Sequence, residues 1–215
     1  MNKLICFAAI ITIVGSCSKS SPVPPPPIES VTIGTQVWML KNLDVSTYRN
    51  GDLIPMVTDP NLWVGLNTGA WCWYNNDSAT YATTYGKLYN WYAVNDSRGL
   101  APTGWHIPSD DEWTTLSTFL GGDAVAGGAM KETGTIHWIT PNTGATDSSG
   151  FTGLPGGVRD DRGEFNAIEN DAYWWSSTEL SSTDAWSRYL GYYGGLIGRT
   201  NTKKLIGFSV RCLRD

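Results

Sequence analysis

The sequence is short of charge, of histidine and of basic clusters. Only 16% of its 215 residues are charged, two are histidines, and no run rich in Lys and Arg occurs. With a formal net charge of −5, the chain lacks the basic face that nucleic-acid binding requires, so we expect no nucleic-acid partner. Two histidines without a matched spacing give no zinc-binding pattern, and no repeat of solenoid period is present.

The apolar stretch at the N-terminus, residues 4–14, is too short to cross a membrane as a permanent helix. Lys3 precedes it, and a Gly-Ser-Cys sequence ends at Cys17, which resembles a bacterial lipobox, where the cysteine is lipidated and becomes the mature N-terminus. We expect residues 1–16 to be a lipoprotein signal peptide and Cys17 to carry a lipid that anchors the protein to a membrane. The alternative is an ordinary signal peptide cut nearby.

Serine and proline dominate the segment that follows, SKSSPVPPPP. Such a segment cannot build a hydrophobic core, and its proline run favours an extended polyproline spacer. We expect residues 17–28 to be a linker and residues 29–215 to form one folded domain. The many glycines (24) and tryptophans (11) predict a loop-rich, aromatic-cored domain of mostly β or α+β structure.

Cysteine is scarce as well, with four in the chain. Cys6 leaves with the predicted signal peptide and Cys17 carries the predicted lipid, so Cys72 and Cys212 remain. An even pair of cysteines in an exported protein favours a disulfide, and we expect one between Cys72 and Cys212. The alternative is two buried free thiols in a domain large enough to fold without a crosslink.

Local patterns predict two elements in the first half of the domain. Two β-branched runs flank Gly34-Thr35, which is typical of a hairpin with a type II′ turn. Farther along, the apolar spacing between Leu88 and Tyr92 predicts a short helix over about 87–94.

The second half of the domain reads as β structure with glycine-rich turns. We expect a hairpin around residues 161–163 and strands at 173–178, 185–190 and 207–214.

The segment GWHIPSDDEW places His106 and three acids, residues 110–112, within seven positions. Such a cluster could hold a metal or perform acid–base chemistry. However, Ser109 and Glu112 have the spacing of a capping box, and acids in a first helical turn interact favourably with the helix dipole. The favoured interpretation is a capped helix that ends at two glycines, 121–122, with a structural histidine before it.

Ordered motifs along the whole domain resemble one known family. They are IGTQVWMLKNLD, WCWYNND, YGKLYNWYAV, GWHIPSDDEW, GLPGGVRD, YWWSSTE and KLIGFSVRCLRD. Together they resemble the Fibrobacter succinogenes major paralogous domain over about residues 31–215. The resemblance implies an α+β, C-type lectin-like fold related to that of formylglycine-generating enzyme. Such a fold has two main helices, a small irregular antiparallel sheet, long loops, and N- and C-terminal strands that pair.

The resemblance brings no cofactor with it. The reactive, copper-binding cysteine pair of formylglycine-generating enzyme needs two nearby thiols in the C-terminal half, where Cys212 stands alone. The Glu-Pro-Asn, Gln-Pro-Asp and Trp-Asn-Asp signatures of calcium-dependent lectins are missing. Asp160, Asp161 and Glu164 could bind calcium, but exposed turn acids are the favoured interpretation. We expect no metal or other cofactor.

The region before the last strand resembles the variable, ligand-binding region of lectin-fold proteins that retroelements diversify. Period-two alternation puts Trp186, Arg188 and Leu190 on one side, with Trp186 and Leu190 facing the core and Arg188 in need of a partner. The residues expected outward or on loops, of the types that recognition loops use, are Ser187, Tyr189, Tyr192, Tyr193, Arg199 and Asn201. The alternative is that these are ordinary turn residues.

Members of the family that the chain resembles are typically lipoproteins or secreted proteins of Bacteroidota. We therefore expect a cell-envelope protein, lipid-anchored at the outer membrane on its periplasmic or its exterior side. We expect a non-catalytic module that binds a glycan or a protein. The alternatives are a structural envelope or fibre component, and a hydrolase of envelope polysaccharide that uses His106 with Asp110, or Asp160 with Glu164.

Overall fold

The computed structural model describes residues 27–215. Short helices and small antiparallel sheets alternate along the chain, so the fold is α+β, as predicted. The helices are α1 (Pro60–Val64), α2 (Ser78–Tyr85), α3 (Trp91–Val94), α4 (Asp110–Phe119) and α5 (Asp123–Met130), and a 3₁₀ turn, Tyr74–Asn76, precedes α2. The strands are β1 (Ser30–Ile33), β2 (Gln36–Met39), β3 (Trp71–Cys72), β4 (Leu88–Tyr89), β5 (Trp105–His106), β6 (Gly156–Arg159), β7 (Phe165–Ile168), β8 (Asp171–Glu179), β9 (Asp184–Gly191), β10 (Ile197–Lys203) and β11 (Leu213–Arg214).

Three features predicted for the N-terminus fall outside this description. The predicted signal peptide, the predicted lipidation site at Cys17 and most of the predicted linker lie outside the described residues. Within residues 27–215, none of the helices combines the length and the apolar character needed to cross a membrane.

Four small antiparallel sheets organise the described chain. The largest has the strand order β1-β2-β11-β5, so the last strand lies between the N-terminal hairpin and the strand that leads into α4. Leu213 of β11 stands opposite Trp38 on one side and His106 on the other. A second sheet has the order β10-β9-β8, and two smaller sheets join β3 to β4 and β6 to β7. The pairing of N- and C-terminal strands that the resemblance implies is therefore present.

The N-terminal hairpin forms at the predicted place. Ile33 stands opposite Gln36, which leaves Gly34 and Thr35 as the two-residue turn. Gly34 has a φ of 61°, and a type II′ turn needs a positive φ at its first central position. A Cβ on Gly34 would also stand 2.9 Å from the ring of Phe119. The turn therefore requires glycine here, and a side chain at this position would also have to displace the Phe119 ring.

Helix α4 begins with the predicted capping box. Ser109 Oγ accepts the Glu112 amide at 3.2 Å, and the Glu112 carboxylate accepts the Ser109 amide at 2.7 Å. The helix ends at Phe119, and Gly121 and Gly122, with φ of 101° and 95°, donate their amides to carbonyls of the last turn. The predicted start and the glycine-based end of this helix are confirmed.

The helix predicted over 87–94 is wrong in its first half. Leu88–Tyr89 is strand β4, paired with β3 in the core, and only Trp91–Val94 is helical. Asn90 separates the two elements, because its side chain accepts the Ala93 amide at 3.1 Å and so caps α3. Burial in the sheet has outweighed the helical spacing of these few apolar residues.

The predicted C-terminal strands are present with one exception. The turn at residues 161–163 joins β6 to β7, and the strands predicted at 173–178 and 185–190 lie within β8 and β9. The segment 207–214 is a strand only at Leu213–Arg214. Its earlier residues run through the interior and form single bridges with three separate partners, Tyr89, Arg159 and Trp174. No single strand accompanies this segment, which is why the extended prediction fails.

The predicted disulfide is wrong, because the two cysteines lie in different parts of the core. Cys212 is buried in the hydrophobic cluster of Trp105 and Trp175, whereas Cys72 is buried in a smaller cluster with Trp63. Both are free thiols. Burial raises the pKa of each thiol to about 12, so neither forms the reactive thiolate at neutral pH.

Candidate functional site

The sheet β10-β9-β8 carries the region expected to bind a ligand, and its two faces differ. In its register Tyr173, Tyr189 and Gly198 stand in one row, and Trp174 and Arg188 stand in the next. Neighbouring rows point to opposite faces of a sheet. The face of Trp174 packs on the core beside α4, whereas the tyrosine row is only partly covered.

Arg188 lies on the inner face, as its alternation predicts, and its partner is Asp110 at the start of α4. Its Nη2 donates to the Asp110 carboxylate at 2.8 Å and to Thr114 Oγ1 at 2.9 Å. Arg188 is 1% exposed and Asp110 is 7% exposed. Asp110 therefore does more than complement a helix dipole, because it ties α4 to the sheet through a buried ion pair.

Arg199 and Asn201 also belong to the Arg188 face and lie apart from the tyrosines. The Arg199 guanidinium carbon is 3.3 Å from the centroid of a Trp186 ring, and its Nη2 is 2.8 Å from the Asp110 carboxylate. Trp186, expected to face the core, is thus partly exposed and covered by an arginine. The six predicted ligand-binding residues consequently do not share one face.

Ser187 is buried, so the expectation that it faces outward is wrong. It stands opposite Trp175, whose hydrophobic cluster covers this end of the face. Its hydroxyl lies 2.8 Å from Thr202 Oγ1 on β10. Ser187 therefore joins two strands and is not accessible to a ligand.

Tyr173, Tyr189 and Tyr193, together with Asp171, form an accessible surface that we call the tyrosine face. The Tyr173 and Tyr189 ring centroids are 6.0 Å apart, and the Tyr173 hydroxyl donates to Asp171 Oδ2 at 3.2 Å. Tyr193 is 60% exposed. Tyr192 meets it edge-on, with ring centroids 5.6 Å apart, and leans on the core. Two of the six predicted residues, Tyr189 and Tyr193, thus belong to the tyrosine face, and a third, Tyr192, contacts it.

Glycines let two of these rings lie directly on the sheet backbone. A Cβ on Gly198 would stand 1.9 Å from the Tyr189 ring, and a Cβ on Gly191 would stand 2.6 Å from the Tyr193 ring. Any larger residue at either position would push the ring away. The rings are therefore held in place by the backbone beneath them, which makes the face preorganised.

The tyrosine face presents neutral hydroxyls beside one carboxylate. Burial raises the pKa of Asp171, and the hydrogen bond from Tyr173 opposes this in part. Burial and the nearby Asp171 carboxylate raise the pKa of Tyr173, and burial together with Tyr189 and Asp171 raises that of Tyr193. The Tyr173 and Tyr193 phenols therefore stay protonated and can donate hydrogen bonds, while Asp171 can accept them.

A buried lysine fixes the loop that carries Tyr192 and Tyr193. Lys131 is 0% exposed, and its Nζ donates to the carbonyls of Thr143, Gly191 and Gly194 at 2.9, 3.0 and 2.8 Å. Burial lowers the pKa of Lys131 to about 8, so the amine remains mostly protonated at neutral pH. All three of its donors are used to hold the backbone of this loop.

Family membership rests on a match along almost the entire domain. The model of the family described as the Fibrobacter succinogenes major domain matches residues 31–214. The chain belongs to this family. No curated protein and no solved structure matches the chain.

In this Fibrobacter succinogenes major domain, the histidine weighed as a catalytic group is clamped between two carboxylates. His106 Nδ1 is 2.8 Å from Asp215 Oδ1, and Nε2 is 2.9 Å from Glu112 Oε1. Burial lowers its pKa, but the hydrogen bonds of Asp215 and Glu112 outweigh that effect and raise it. The pair of His106 with Asp110 is not formed, because Asp110 serves the two arginines.

Asp160 and Glu164, the second pair considered for catalysis, lie in a turn. Asp160 Oδ1 accepts the amides of Arg162 and Glu164, both at 2.9 Å. Asp161 points elsewhere and lies 2.7 Å from Lys203 Nζ. These acids are engaged separately, and among residues 27–215 no group of three or more His, Cys, Asp and Glu side chains is arranged to hold a metal ion.

Sequence reasoning missed Asp171 and Tyr173, two of the four members of the tyrosine face. The missing step was the pairing of the two predicted strands. Once β8 and β9 are aligned as neighbours, Tyr173 stands opposite Tyr189 and Asp171 stands opposite Gly191. The contribution of Lys131 could not have been found this way, because its acceptors are backbone atoms of loops.

Proposed function

We propose that this domain is a non-catalytic ligand-binding module that recognises a glycan or a protein through the tyrosine face. The observation that carries the proposal is the set of three tyrosine rings and one carboxylate held on a glycine-backed sheet. Tyrosine offers a large, rigid contact area at low entropic cost, together with a hydroxyl that adapts to its partner. The polar and apolar parts of this surface suit a ligand that is itself amphipathic, as sugars and peptides are.

The C-type lectin-like architecture is part of this proposal. Its support is the sheet that joins the first and last strands of the domain. Further support comes from two long segments, 40–59 and 131–155, that contain neither helix nor strand. In such a scaffold, loops and short strands present the ligand-binding residues while the paired termini hold the frame.

We also propose that Cys17 anchors the protein to the outer membrane. In cells fed labelled palmitate, wild-type protein should incorporate the label and fractionate with that membrane, because acyl chains confer stable membrane binding. The Cys17→Ser variant should do neither, whereas Cys6→Ser serves as the matched control and should behave as wild type. Label in the Cys17→Ser variant would contradict lipidation at this residue.

Removing the Tyr193 ring should weaken ligand binding about tenfold or more, as expected for an aromatic side chain that anchors an interface. The screen would use purified full chain on arrays of glycans and of envelope proteins, followed by titration of each ligand found. Tyr193→Ala should lose the interaction, and Tyr189→Ala should weaken it by removing the neighbouring ring.

Phe119→Ala is the matched control, because Phe119 is 63% exposed against 60% for Tyr193 and lies outside the tyrosine face. It should leave the affinity unchanged. A ligand whose affinity survives Tyr193→Ala and Tyr189→Ala would refute this face as its site. If the screen finds no ligand and the protein self-associates increasingly as its concentration rises, the result would instead support the structural-component alternative.

A further inference from the structure

A second concave site lies away from the tyrosine face, at the junction of the N-terminal hairpin with α2. It has a volume of about 350 Å³, within the range of small-molecule pockets. Its wall carries hydroxyl and amide side chains from three separate segments of the chain, and its buried cation is Arg211. The polar residues that matter here are Lys41, Asn42, Thr83, Thr84, Thr152 and Arg211.

Arg211 is 1% exposed, and its hydrogen bonds leave one nitrogen unused. Nε donates to Asn42 Oδ1 at 3.1 Å. Nη1 donates to the carbonyls of Met39, Leu40 and Phe151 at 3.0, 2.8 and 2.9 Å. Nη2 has no acceptor among residues 27–215. Two N–H donors of a buried guanidinium are thus free for a group in the pocket.

Two other buried arginines in the domain are compensated in different ways. Arg159 uses all three of its nitrogens, on the carbonyls of Gly163, Val57 and Thr58. Arg188 has a carboxylate partner in Asp110. Arg211 forms no ion pair with any described residue, and burial lowers its pKa to about 9. Its charge is therefore poorly compensated, which favours an incoming anion.

The charged groups around the opening of the pocket do not form an ion pair with Arg211. Lys41 Nζ is 3.4 Å from Glu29 Oε2, and both side chains are largely exposed, so this pair is neutral and screened. The Asp147 carboxylate raises the pKa of Arg211 from a distance but forms no ion pair with it, and it accepts the amide and the hydroxyl of Thr152 at 2.8 and 2.9 Å. His137 also lines the pocket, and its Nδ1 lies 2.8 Å from Glu132 Oε2. The pocket therefore combines the buried charge of Arg211 and this His137–Glu132 pair with the threonine hydroxyls at 83 and 84.

We propose that this pocket binds the carboxylate of a small polyhydroxylated ligand, of the class that uronic acids represent. The carboxylate accepts the two free N–H groups of Arg211, because a guanidinium fork matches carboxylate geometry. The ligand's hydroxyls exchange hydrogen bonds with Thr83 and Thr84. This site is distinct from the tyrosine face and does not depend on the function proposed for it.

The test is isothermal titration of the full chain with galacturonate and glucuronate at millimolar concentrations. Galactose, the methyl ester of galacturonate, acetate and inorganic phosphate are the comparison ligands. The uronates should bind, the uncharged sugars should not, and acetate should bind more weakly because it lacks hydroxyls. Thr84→Val should weaken uronate binding about fivefold, the size expected for one lost hydrogen bond, while Thr118→Val, an exposed threonine on α4, should not.

Arg211→Met should abolish uronate binding. Because that variant also removes the anchor of three carbonyls and can fail to fold, Leu154→Trp provides a second test by filling the pocket from its wall. Uronate binding that persists in Leu154→Trp and Thr84→Val would overturn the location. Binding of phosphate in preference to uronate, or no binding of any carboxylate, would overturn the ligand class. The tyrosine variants should leave uronate binding intact, which separates this proposal from the preceding one.

Discussion

Replacing Asp110 with asparagine should lower the free energy of unfolding by about 3–5 kcal/mol, the cost of leaving a buried charge without its partner. Arg188 is 1% exposed and its Nε already lacks a partner among the described residues, so Asp110 supplies its only compensating charge there. The asparagine amide has nearly the same shape but no charge. Urea denaturation of the wild type and the variant, followed by circular dichroism, measures the difference.

Arg199→Gln is the matched control for that experiment. Arg199 contacts the same carboxylate, but its side chain is 40% exposed, and exposed ion pairs contribute less than about 1 kcal/mol. A cost for Asp110→Asn as small as that of Arg199→Gln would show that the buried pair does not hold α4 to the sheet. Equal urea midpoints for the two variants would therefore refute the argument.

Replacing Lys131 with methionine should cost about 3 kcal/mol or more, because it removes three hydrogen bonds donated by a buried ammonium group, at about 1 kcal/mol or more each. Methionine fills a similar volume, so the loss comes from the hydrogen bonds and not from a cavity. The carbonyls of Gly191 and Gly194 flank Tyr192 and Tyr193, so the loop at the tyrosine face should also lose order. Hydrogen exchange of the amides at 191–195 should become faster in the variant.

Lys203→Met makes the same chemical change at a surface position and serves as the control. The Lys203 side chain is 60% exposed and lies 2.7 Å from Asp161, so its loss should cost less than about 1 kcal/mol. Unchanged exchange at 191–195 in Lys131→Met, despite lower global stability, would mean that Lys131 stabilises the core without holding the loop.

The parts of the fold that the sequence predicts are those decided by neighbours along the chain. The glycine of the first hairpin and the Ser109–Glu112 cap each need only a few adjacent residues to act. The strands β8 and β9 could be located from alternation for the same reason. The helix predicted over 87–94 failed because burial against β3, a non-local contact, decided the conformation of Leu88–Tyr89.

The parts that the sequence does not predict depend on contacts between distant residues. The alternation showed that Arg188 needed a partner, but Asp110 lies 78 residues away. Its position in the first turn of a helix already explained its charge, so nothing in the sequence pointed to the ion pair. Likewise, an even pair of cysteines carries no information about whether their side chains meet. In the candidate site, Tyr189 and Tyr193 were expected, whereas the exclusion of Ser187 required knowing which end of the sheet the core covers.

The position of β11 has a consequence for how the domain reaches its final shape. Residues 207–214 contact β4, β6 and β8 through single bridges before β11 enters the sheet between β2 and β5, and Arg214 Nη2 reaches Ser30 Oγ at 3.3 Å. A chain that ends before residue 207 contains all the described helices but lacks the strand that joins β2 to β5. Contacts of such long sequence separation form late and slowly. The four-stranded sheet therefore cannot be completed until the final residues of the domain are present.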